Sequence, residues 1–369
     1  MKITILFTII FTFGFLRNVL SRDTPLPFEA IFNFGDSISD TGNSASHDPF
    51  PRNSPYGSTF FKSPAGRLSN GRLMIDFIAG AYGLPMLPAY LTIKKGTNIK
   101  KGVNFAYSGS TALNKTYFDQ RGMNVKAAAY SLGTQLDWFN EIKPSLCKSK
   151  AECDAYFKKS LFLVGEIGGN DLNEIIPNKN ITAIKEMIPD IVDSITKYTS
   201  VLIEHGAVEI AVPGNFPIGC NSFVLKTAGS DKKEDYDEYG CLIPYNNIIS
   251  EFNEQLKKGL ETLRQKNPTV KIMYFDYYGA ALSLFHEPKK FGFVYGKIKT
   301  FEVCCGKGGG YKLEGICGRG DTTVCADPSK HINWDGFHLT EAAYKLMAKG
   351  LLEGPYANPP VTPPPFKIH

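Results

Sequence analysis

The sequence has no long block of basic residues and no apolar run long enough to span a membrane as a helix. A membrane-spanning helix needs about 20 predominantly apolar residues, so stable membrane insertion of the mature chain is not expected. The formal net charge of +5 is distributed along all 369 residues, and charged residues make up an ordinary 21%. Such a dispersed charge gives no reason to expect a nucleic-acid partner.

The cysteines form no C-x-x-C pair, which leaves little support for a zinc site of the usual spacing. Eight cysteines are instead typical of disulfide bonds formed in an oxidising compartment. Their number allows too many pairings for the sequence to settle the connectivity. Short loops favour Cys147 with Cys153 and Cys220 with Cys241. The other four are expected to pair among themselves: Cys304, Cys305, Cys317 and Cys325.

The N-terminus has the organisation of a secretory signal peptide. Lys2 supplies a positive charge, the apolar run ITILFTIIFTFGFL follows, and residues 19–21 offer a cleavage site. We therefore predict that residues 1–21 are a signal peptide, with a retained membrane anchor as the alternative. Asn114 and Asn180 each begin an N-x-Thr triplet and are candidate N-glycosylation sites. The predicted location is the secretory pathway and then the extracellular space (the apoplast) or the vacuole.

Short apolar segments rich in strand-forming residues alternate with long amphipathic segments. A helix is predicted over 183–206, with Pro189 expected to kink it or to mark its start. A second helix has apolar residues at three- and four-residue steps from Ile248 to Leu263, and Asn267-Pro268 should end it. The alternation is typical of a parallel sheet covered by helices on both faces. The predicted strands are EAIFNF (29–34), SLFLVGEI (160–167), VEIAVPGN (208–215) and VKIMYFDYY (270–278).

The predicted fold class is therefore α/β, with three layers (α/β/α) around a mainly parallel central sheet. No internal repeat is evident, and a single elaborated α/β domain can reach this length. We predict one domain over residues 22–353. Residues 354–369 are too rich in proline for a helix or a central strand, and we expect them to be extended and loosely ordered.

The segment AIFNFGDSISDTGN (30–43) ends a predicted strand on a serine, Ser37. Ligands of parallel sheets bind beyond the carboxyl ends of the strands, which is where this serine would lie. Gly35 permits a tight turn, and a helix starting after it would point free N–H groups towards the serine oxygen. Ser37 is thus a candidate nucleophile, although the same pattern also fits an ordinary helix N-cap.

A nucleophilic serine needs a base, and the base needs an orienting partner. Among the six histidines, His338 lies three residues after Asp335 in HINWDGFHLT, so one helical turn would place both on the same face. His338 is therefore the candidate base, and Asp335 is its orienting carboxylate. A metal-binding face of His331, Asp335 and His338, or a simple capping segment, is the alternative.

Two segments could supply donors for the oxyanion of a tetrahedral intermediate. Gly109 in GVNFAYSGST (102–111) allows the backbone to approach a ligand closely, so its N–H is a candidate donor. Asn170 in EIGGND (166–171) follows a predicted strand at the same sheet edge, and its amide is a second candidate. A plain turn at Gly109 and a cap at Asn170 are the simpler alternatives.

Taken in order, four segments resemble the conserved blocks of the GDSL esterase/lipase family of SGNH hydrolases: FGDSISDTGN, GVNFAYSGS, VGEIGGND and DGFHLT. The resemblance extends over residues 28–352 and implies an SGNH-hydrolase, flavodoxin-like fold. It implies that Ser37 is both the nucleophile and a backbone oxyanion donor. It also implies that Gly109 and Asn170 complete the oxyanion hole, and that Asp335 and His338 complete the triad.

The function that this resemblance implies is hydrolysis of a carboxylic ester through an acyl-enzyme, with no metal or organic cofactor. The chain is similar overall to the plant subgroup that includes sinapine esterase and acetylajmalan esterase. That similarity implies a small-molecule ester of a specialised metabolite, such as an acetylated or methyl-esterified alkaloid or a phenolic choline ester. A monomer is expected. The alternatives are an acyltransferase that uses the same triad and a non-catalytic secreted binding protein on the same scaffold.

Three further segments have less certain roles. YSGST departs mildly from the corresponding family block, so Tyr107 and Thr111 could shape the pocket. The charged run 231–240 is expected to be a solvated loop, with a lid over the active-site edge as the alternative. Tyr277 and Tyr278 are expected to lie in a buried strand or to line a pocket.

Overall fold

The centre of the protein is a six-stranded sheet, seen in a computed structural model that describes residues 27–173, 176, 181–361 and 368. The strands in chain order are β1 (Ala30–Phe34), β2 (Gly102–Asn104), β3 (Ser160–Val164), β4 (Glu209–Pro213), β5 (Lys271–Phe275), β6 (Cys305–Gly306), β7 (Thr323–Val324) and β8 (Ala357–Asn358). The large sheet has the spatial order β2-β1-β3-β4-β5-β8, and β6 and β7 pair separately.

Strands β1 to β5 run parallel, in the order that is typical of flavodoxin-like folds. Every side chain of β1 and β3 is buried. Because successive side chains of a strand point to opposite faces of the sheet, this burial means that both faces are covered. Strand β8 joins the edge of the sheet antiparallel to β5. The predicted α/β class with a mainly parallel central sheet is confirmed.

Helices connect the strands and pack in two groups. The helices are α1 (Asn43–His47), α2 (Met74–Ala81), α3 (Lys115–Asp119), α4 (Leu132–Leu146), α5 (Lys150–Phe157), α6 (Gly169–Asn173), α7 (Ile181–Glu204), α8 (Ser222–Thr227), α9 (Ile243–Lys266), α10 (Tyr277–His286) and α11 (Glu341–Glu353). Helix α7 contacts both α4 and α9, and α11 contacts both α2 and α10. With the sheet, whose strands β1 and β3 are buried on both faces, these groups form the predicted three layers.

The four predicted strands are present as β1, β3, β4 and β5, but the last three end before their predicted ends. Tyr277 and Tyr278 begin α10 and do not continue the strand, because the Asp276 carboxylate accepts the Gly279 N–H at 2.9 Å and caps the helix. Strand β2 was not predicted. It is only three residues long, and its Gly102 passes so close to β1 that a Cβ would lie 1.8 Å from the Ile31 carbonyl oxygen.

The two predicted long helices are present with somewhat different starts. Helix α7 begins at Ile181 and continues through Pro189, so the proline does not mark its start. Helix α9 begins at Ile243, ahead of the periodic apolar run, and ends before Asn267 as predicted. No helix in the described part of the chain is both long and apolar enough to cross a bilayer.

The disulfides follow the predicted grouping. Cys147 pairs with Cys153 and Cys220 with Cys241, and the last four cysteines pair as Cys304–Cys325 and Cys305–Cys317. Within the predicted loosely ordered tail, residues 357–358 form an edge strand, so the sheet extends past residue 353. The predicted signal peptide (1–21), Asn180 and most of the tail after residue 361 lie outside the described residues.

Candidate active site

Strand β1 brings Ser37 to the carboxyl edge of the sheet, at the point where the strand order reverses between β1 and β3. Gly35 leaves the strand with φ +145°, and a Cβ there would lie 2.8 Å from Ser39 Oγ and 3.0 Å from the Glu166 carbonyl oxygen. Glycine alone avoids both the strained φ and the close contacts, which allows the chain to turn directly before the serine. Ser37 is only 8% exposed.

The chain after Ser37 forms a single turn, and residues 37–42 do not form the helix that the sequence predicted there. The Asp36 carboxylate accepts the Ile38 N–H at 2.9 Å, and the Asp36 carbonyl oxygen accepts the Asp40 N–H at 2.9 Å. These bonds close the turn locally, and α1 begins only at Asn43. The prediction that a helix points its free N–H groups towards the serine oxygen is therefore wrong.

Asp335 and His338 lie in the loop before α11, and their side chains contact each other. His338 Nδ1 lies 2.9 Å from both carboxylate oxygens of Asp335. Because a carboxylate only accepts hydrogen bonds, Nδ1 carries the proton and Nε2 remains the acceptor that a general base needs. Asp335 Oδ1 also accepts the N–H groups of Phe337 and His338, and Oδ2 accepts the Tyr56 hydroxyl at 2.7 Å.

Burial and mutual attraction act in opposite directions on this pair. Burial favours the neutral forms, which lowers the pKa of His338 and raises that of Asp335. The attraction between the two charges and their hydrogen bonds outweighs burial, so the pKa of His338 is raised above its usual value and that of Asp335 is lowered. Asp335 therefore stays ionised and can stabilise an imidazolium at His338.

Ser37, Asn170 and His338 line one cavity of about 100 Å³ at the carboxyl edge of the sheet. The fold thus brings together three of the predicted site residues from distant parts of the sequence, and Asp335 contacts the far side of His338. Most of the remaining wall is apolar and consists of Ile38, Phe216, Pro217, Ile218, Val224, Phe285, Phe337 and Leu339.

The two other predicted oxyanion donors differ in their surroundings. Asn170 Nδ2 lies 2.7 Å from a carboxylate oxygen of Asp36 and 3.0 Å from the Ser110 carbonyl oxygen. Both amide hydrogens therefore have acceptors already, and Asn170 must exchange one of them to bind an oxyanion. Gly109 adopts φ +79° directly before Ser110. It is not one of the described residues that line the cavity.

A group of buried carboxyl groups surrounds this corner of the site. Burial raises the pKa of Asp36 to about 7 and that of Asp171 to about 7. Burial, together with the negative charges of those two residues, raises the pKa of Glu166 well above its usual value. Asp171 also ties α6 to the loop after β2, because its carboxylate accepts the N–H groups of Ala112 and Leu113 at 2.9 Å.

Two residues that sequence reasoning missed hold the turn at Gly35 and the loop at Gly109. The Gln135 amide accepts the Gly35 N–H and donates to the Gly35 carbonyl oxygen, both at 2.8 Å. Asp40 accepts the N–H of Ser108 at 2.9 Å. The Asp40 carboxylate also accepts N–H groups at the start of α1, and an aspartate before a helix is a partial sequence signal for such a cap. Nothing near Gln135 in the sequence indicates its partner.

A small second cluster supports Asp335 from behind. Tyr56 and the fully buried Trp334 pack there against the Cys304–Cys325 and Cys305–Cys317 disulfides. The Cys305 N–H donates to the Trp334 carbonyl oxygen at 2.7 Å, so the disulfide-linked segment pairs directly with the chain that carries the acid. The Tyr56 contact to Asp335 had no counterpart in the sequence analysis.

The other features that the sequence singled out do not line the cavity at Ser37. Tyr107 stacks on Tyr130 with ring centroids 3.8 Å apart, and neither Tyr107 nor Thr111 is among the described residues that line the cavity. Residues 231–233 and 236–240 line a second cavity of about 970 Å³ that shares Phe285 with the cavity at Ser37, and none of them lines the cavity at Ser37 itself. The alternative metal face at His331 is not formed, since the described residues contain no His, Cys, Asp and Glu group able to hold a metal ion.

The chain is similar to known proteins over nearly its whole length. The family described as GDSL-like lipase/acylhydrolase matches residues 31–351. One GDSL esterase/lipase of Arabidopsis thaliana is 45% identical over 372 residues, covering 97% of this chain and 99% of the relative. Another from the same organism is 43% identical over 357 residues, covering 94% of this chain and 90% of the relative.

Among solved structures, a mutant acetyl-xylooligosaccharide esterase from Geobacillus Stearmophilus aligns over 88% of this chain and 93% of its own, with 14% identity and a TM-score of 0.38. This likeness is too distant to inform the site.

Together, the parallel sheet, the serine at its carboxyl edge and the family match define a carboxylic ester hydrolase. The chain belongs to the GDSL-like lipase/acylhydrolase family, and its similarity to the curated plant GDSL esterase/lipases extends almost from end to end. The family resemblance of the four sequence blocks is thereby confirmed. The finer similarity to the sinapine esterase and acetylajmalan esterase subgroup stays a prediction.

Proposed function

We propose that the protein is a serine esterase in which Ser37 is the nucleophile, His338 the general base and Asp335 the residue that orients the imidazole. The observation that carries this proposal is the hydrogen-bonded Asp335–His338 pair opening on the same cavity as Ser37. The pair leaves His338 Nε2 free to accept a proton, which is what activation of a serine requires.

In this mechanism, Ser37 Oγ attacks the ester carbonyl carbon while His338 takes the serine proton. The proposed donors to the tetrahedral oxyanion are the Ser37 N–H, the Asn170 amide and the Gly109 N–H. For this, Asn170 must release one of its present acceptors and Gly109 must approach the cavity. The His338 imidazolium then protonates the leaving alcohol, and an acyl-enzyme remains. Water activated by His338 attacks the acyl-enzyme and releases the acid. Every proton is moved by this chain's own residues, so the proposal includes no cofactor.

We infer that the substrate is a small-molecule ester of a specialised plant metabolite, such as an alkaloid or phenolic choline ester. The support is the similarity to plant GDSL esterase/lipases together with the small, largely apolar cavity. An acyltransferase would use the same residues but pass the acyl group to an alcohol. Product analysis with an added alcohol separates the two, because an excess of new ester over acid would overturn hydrolysis.

We further propose that residues 1–21 are removed on secretion, that the domain spans 22–353 with β8 added to the edge of its sheet, and that Asn114 is glycosylated. Asn114 is exposed at the start of α3, where its side chain accepts the Tyr117 N–H at 3.0 Å, and four disulfides suit an oxidising compartment. Asn180 is the second proposed glycosylation site. N-terminal sequencing and glycopeptide mapping of protein secreted from plant cells test these points.

The decisive experiment replaces the nucleophile. Ser37→Ala should lower kcat for p-nitrophenyl acetate by about a thousandfold or more while leaving the thermal unfolding temperature nearly unchanged. Ser39→Ala, in the same turn, is the matched control and should retain most of the activity. A fluorophosphonate should label the wild type and not Ser37→Ala. Ordinary turnover by Ser37→Ala would refute the nucleophile, and absence of labelling in an inactive wild type would revive the binding-protein alternative.

A further inference from the structure

The cavity at Ser37 is small compared with ordinary ligand sites. Its volume of about 100 Å³ is well below the roughly 300–1,000 Å³ of typical small-molecule pockets. Such a space holds an acyl group of only a few heavy atoms next to the serine. A larger substrate must therefore extend beyond this cavity on one side of its ester bond.

The wall of this cavity has little positive charge to offer an acidic substrate. His338 is the only basic side chain among the described residues that line it, and two buried carboxyl groups, those of Asp36 and Glu166, also face it. The remaining lining is apolar or consists of neutral amides. The cavity thus disfavours a substrate with a carboxylate or phosphate near the ester bond.

Phe337 is an unusual feature of the cavity wall. It lines the cavity and yet is 46% exposed, whereas its neighbour His338 is buried. Its ring lies on the ring of Phe223 with centroids 4.4 Å apart. Its N–H donates to Asp335 Oδ1 at 2.8 Å, and the Phe223 N–H donates to the Gly336 carbonyl oxygen at 3.1 Å. The two rings therefore form a held apolar surface, which we call the Phe223–Phe337 platform.

The position of the platform relative to His338 has a chemical consequence, which rests on the proposed function. The leaving alcohol takes its proton from the His338 imidazolium, so the alcohol oxygen must lie on the His338 side of the cavity. Phe337 directly precedes His338, and their ring centroids are 6.3 Å apart. The group attached to the alcohol oxygen thus leaves the cavity beside the exposed face of Phe337.

We propose that the enzyme selects esters that join a short acyl group to a large apolar alcohol with a flat ring system, and that the Phe223–Phe337 platform binds this alcohol. When an exposed aromatic face is buried against a substrate ring, the apolar surface removed from water and the stacking of the rings both stabilise the complex and its transition state. Esters of a large acid with a small alcohol, such as methyl esters of bulky acids, fit this arrangement poorly. Of the ester types considered above, which are acetylated alkaloids, methyl-esterified alkaloids and phenolic choline esters, the geometry favours the acetylated alkaloids.

The test compares matched esters. For wild-type enzyme, kcat/KM should be higher for benzyl acetate than for ethyl acetate, and at least about tenfold higher for ethyl acetate than for ethyl octanoate. Phe337→Ala should lower the benzyl-to-ethyl ratio about three- to tenfold, the range expected for one aromatic contact. Phe337→Tyr should restore the ratio. Phe60→Ala removes an aromatic side chain of similar exposure (43%) that does not line the cavity, so it should leave the ratio unchanged.

The ratio separates a lost platform from a general disturbance of His338, because such a disturbance would lower both rates together. An unchanged ratio in Phe337→Ala, or an equal change in Phe60→Ala, would overturn the platform. Preference for the octanoyl ester would overturn the short acyl group. These outcomes are distinct from failure of the proposed function, which would appear as hydrolysis of all the esters by Ser37→Ala.

Discussion

The candidate site joins two regions that are built in different ways. Ser37, Gly109 and Asn170 follow the parallel strands β1, β2 and β3, and the main core holds their backbone. Asp335 and His338 instead lie in a segment between α10 and α11 that contains only short elements. Two disulfides, Tyr56 and Trp334 replace a regular core there.

The difference shows how each region obtains rigidity. Parallel strands fix their carboxyl ends through backbone ladders and buried side chains on both faces. A loop has no such ladder, so covalent links and side-chain hydrogen bonds must limit its conformations. We therefore expect that losing one hydrogen bond in the sheet-edge region lowers the free energy of unfolding less than losing a disulfide in the loop region does.

The largest expected effect concerns the acid of the loop region. Asp335→Asn should lower kcat by about 10⁴-fold, because the amide no longer stabilises the imidazolium or its correct tautomer. The pH profile should also change. In the wild type the neutral imidazole is the active form, so kcat/KM should fall as the pH drops through a pKa raised above 6.5.

In Asp335→Asn the raising effect of the carboxylate is lost, while burial, which lowers the pKa of His338, remains. The acid limb should therefore move to lower pH, measured as kcat/KM between pH 4 and 9 alongside circular dichroism of the fold. An acid limb at its wild-type position would contradict the assigned role of Asp335.

An intermediate effect is expected within the sheet-edge region. Asn170→Ala should lower kcat about 100- to 1,000-fold with little change in KM, because an oxyanion donor acts mainly in the transition state. Asp36→Asn should also lower kcat, because Asp36 holds the Asn170 amide at 2.7 Å.

The double variant separates a positioning role of Asp36 from an independent one. If Asp36 acts through Asn170, adding Asp36→Asn to Asn170→Ala should cost much less than it does in the wild type. Fully multiplicative losses in kcat would show that Asp36 does not position the amide. The unfolding temperatures of all four proteins serve as the control.

The smallest effect on kcat is expected from the scaffold of the loop region. Replacing Cys305 and Cys317 with alanine should lower the free energy of unfolding by about 3 kcal/mol, as estimated from loop entropy. The same change should lower kcat several-fold, because the disulfide limits the conformations of the segment at Cys305, whose N–H donates to the Trp334 carbonyl oxygen directly before Asp335.

Replacing Cys147 and Cys153 with alanine is the matched control. That disulfide closes a shorter loop outside the site, so its loss should cost about 2 kcal/mol and leave kcat unchanged. Urea unfolding and steady-state kinetics measure both quantities. Equal losses of kcat in the two double variants would remove the proposed link between the disulfide cluster and Asp335.

Local sequence patterns predicted much of this structure. Strands β1, β3, β4 and β5 were predictable because short apolar runs that alternate with amphipathic helices are typical of a parallel sheet. The family was predictable because four ordered blocks resemble it, and the site residues drawn from those blocks stay a prediction. Strand β2 could not be predicted, because three residues are too few to show a periodic pattern. Tyr277 and Tyr278 were misassigned because the cap at Asp276 ends a strand that propensity alone would continue.

The sequence alone determined the class of fold, the grouping of the cysteines and the residue types available for chemistry. These properties could be predicted because they depend on local patterns and short separations along the chain. Tertiary structure decided that Asp36 accepts a hydrogen bond from Asn170, that Gln135 and Tyr56 support the site, and that Phe337 lines the cavity while it stays partly exposed. The contacts made by Asp36, Gln135 and Tyr56 join residues that are far apart in the sequence. Such contacts leave no local sequence pattern from which the partner could be inferred. Only the packing of the whole sheet and its loops selects them.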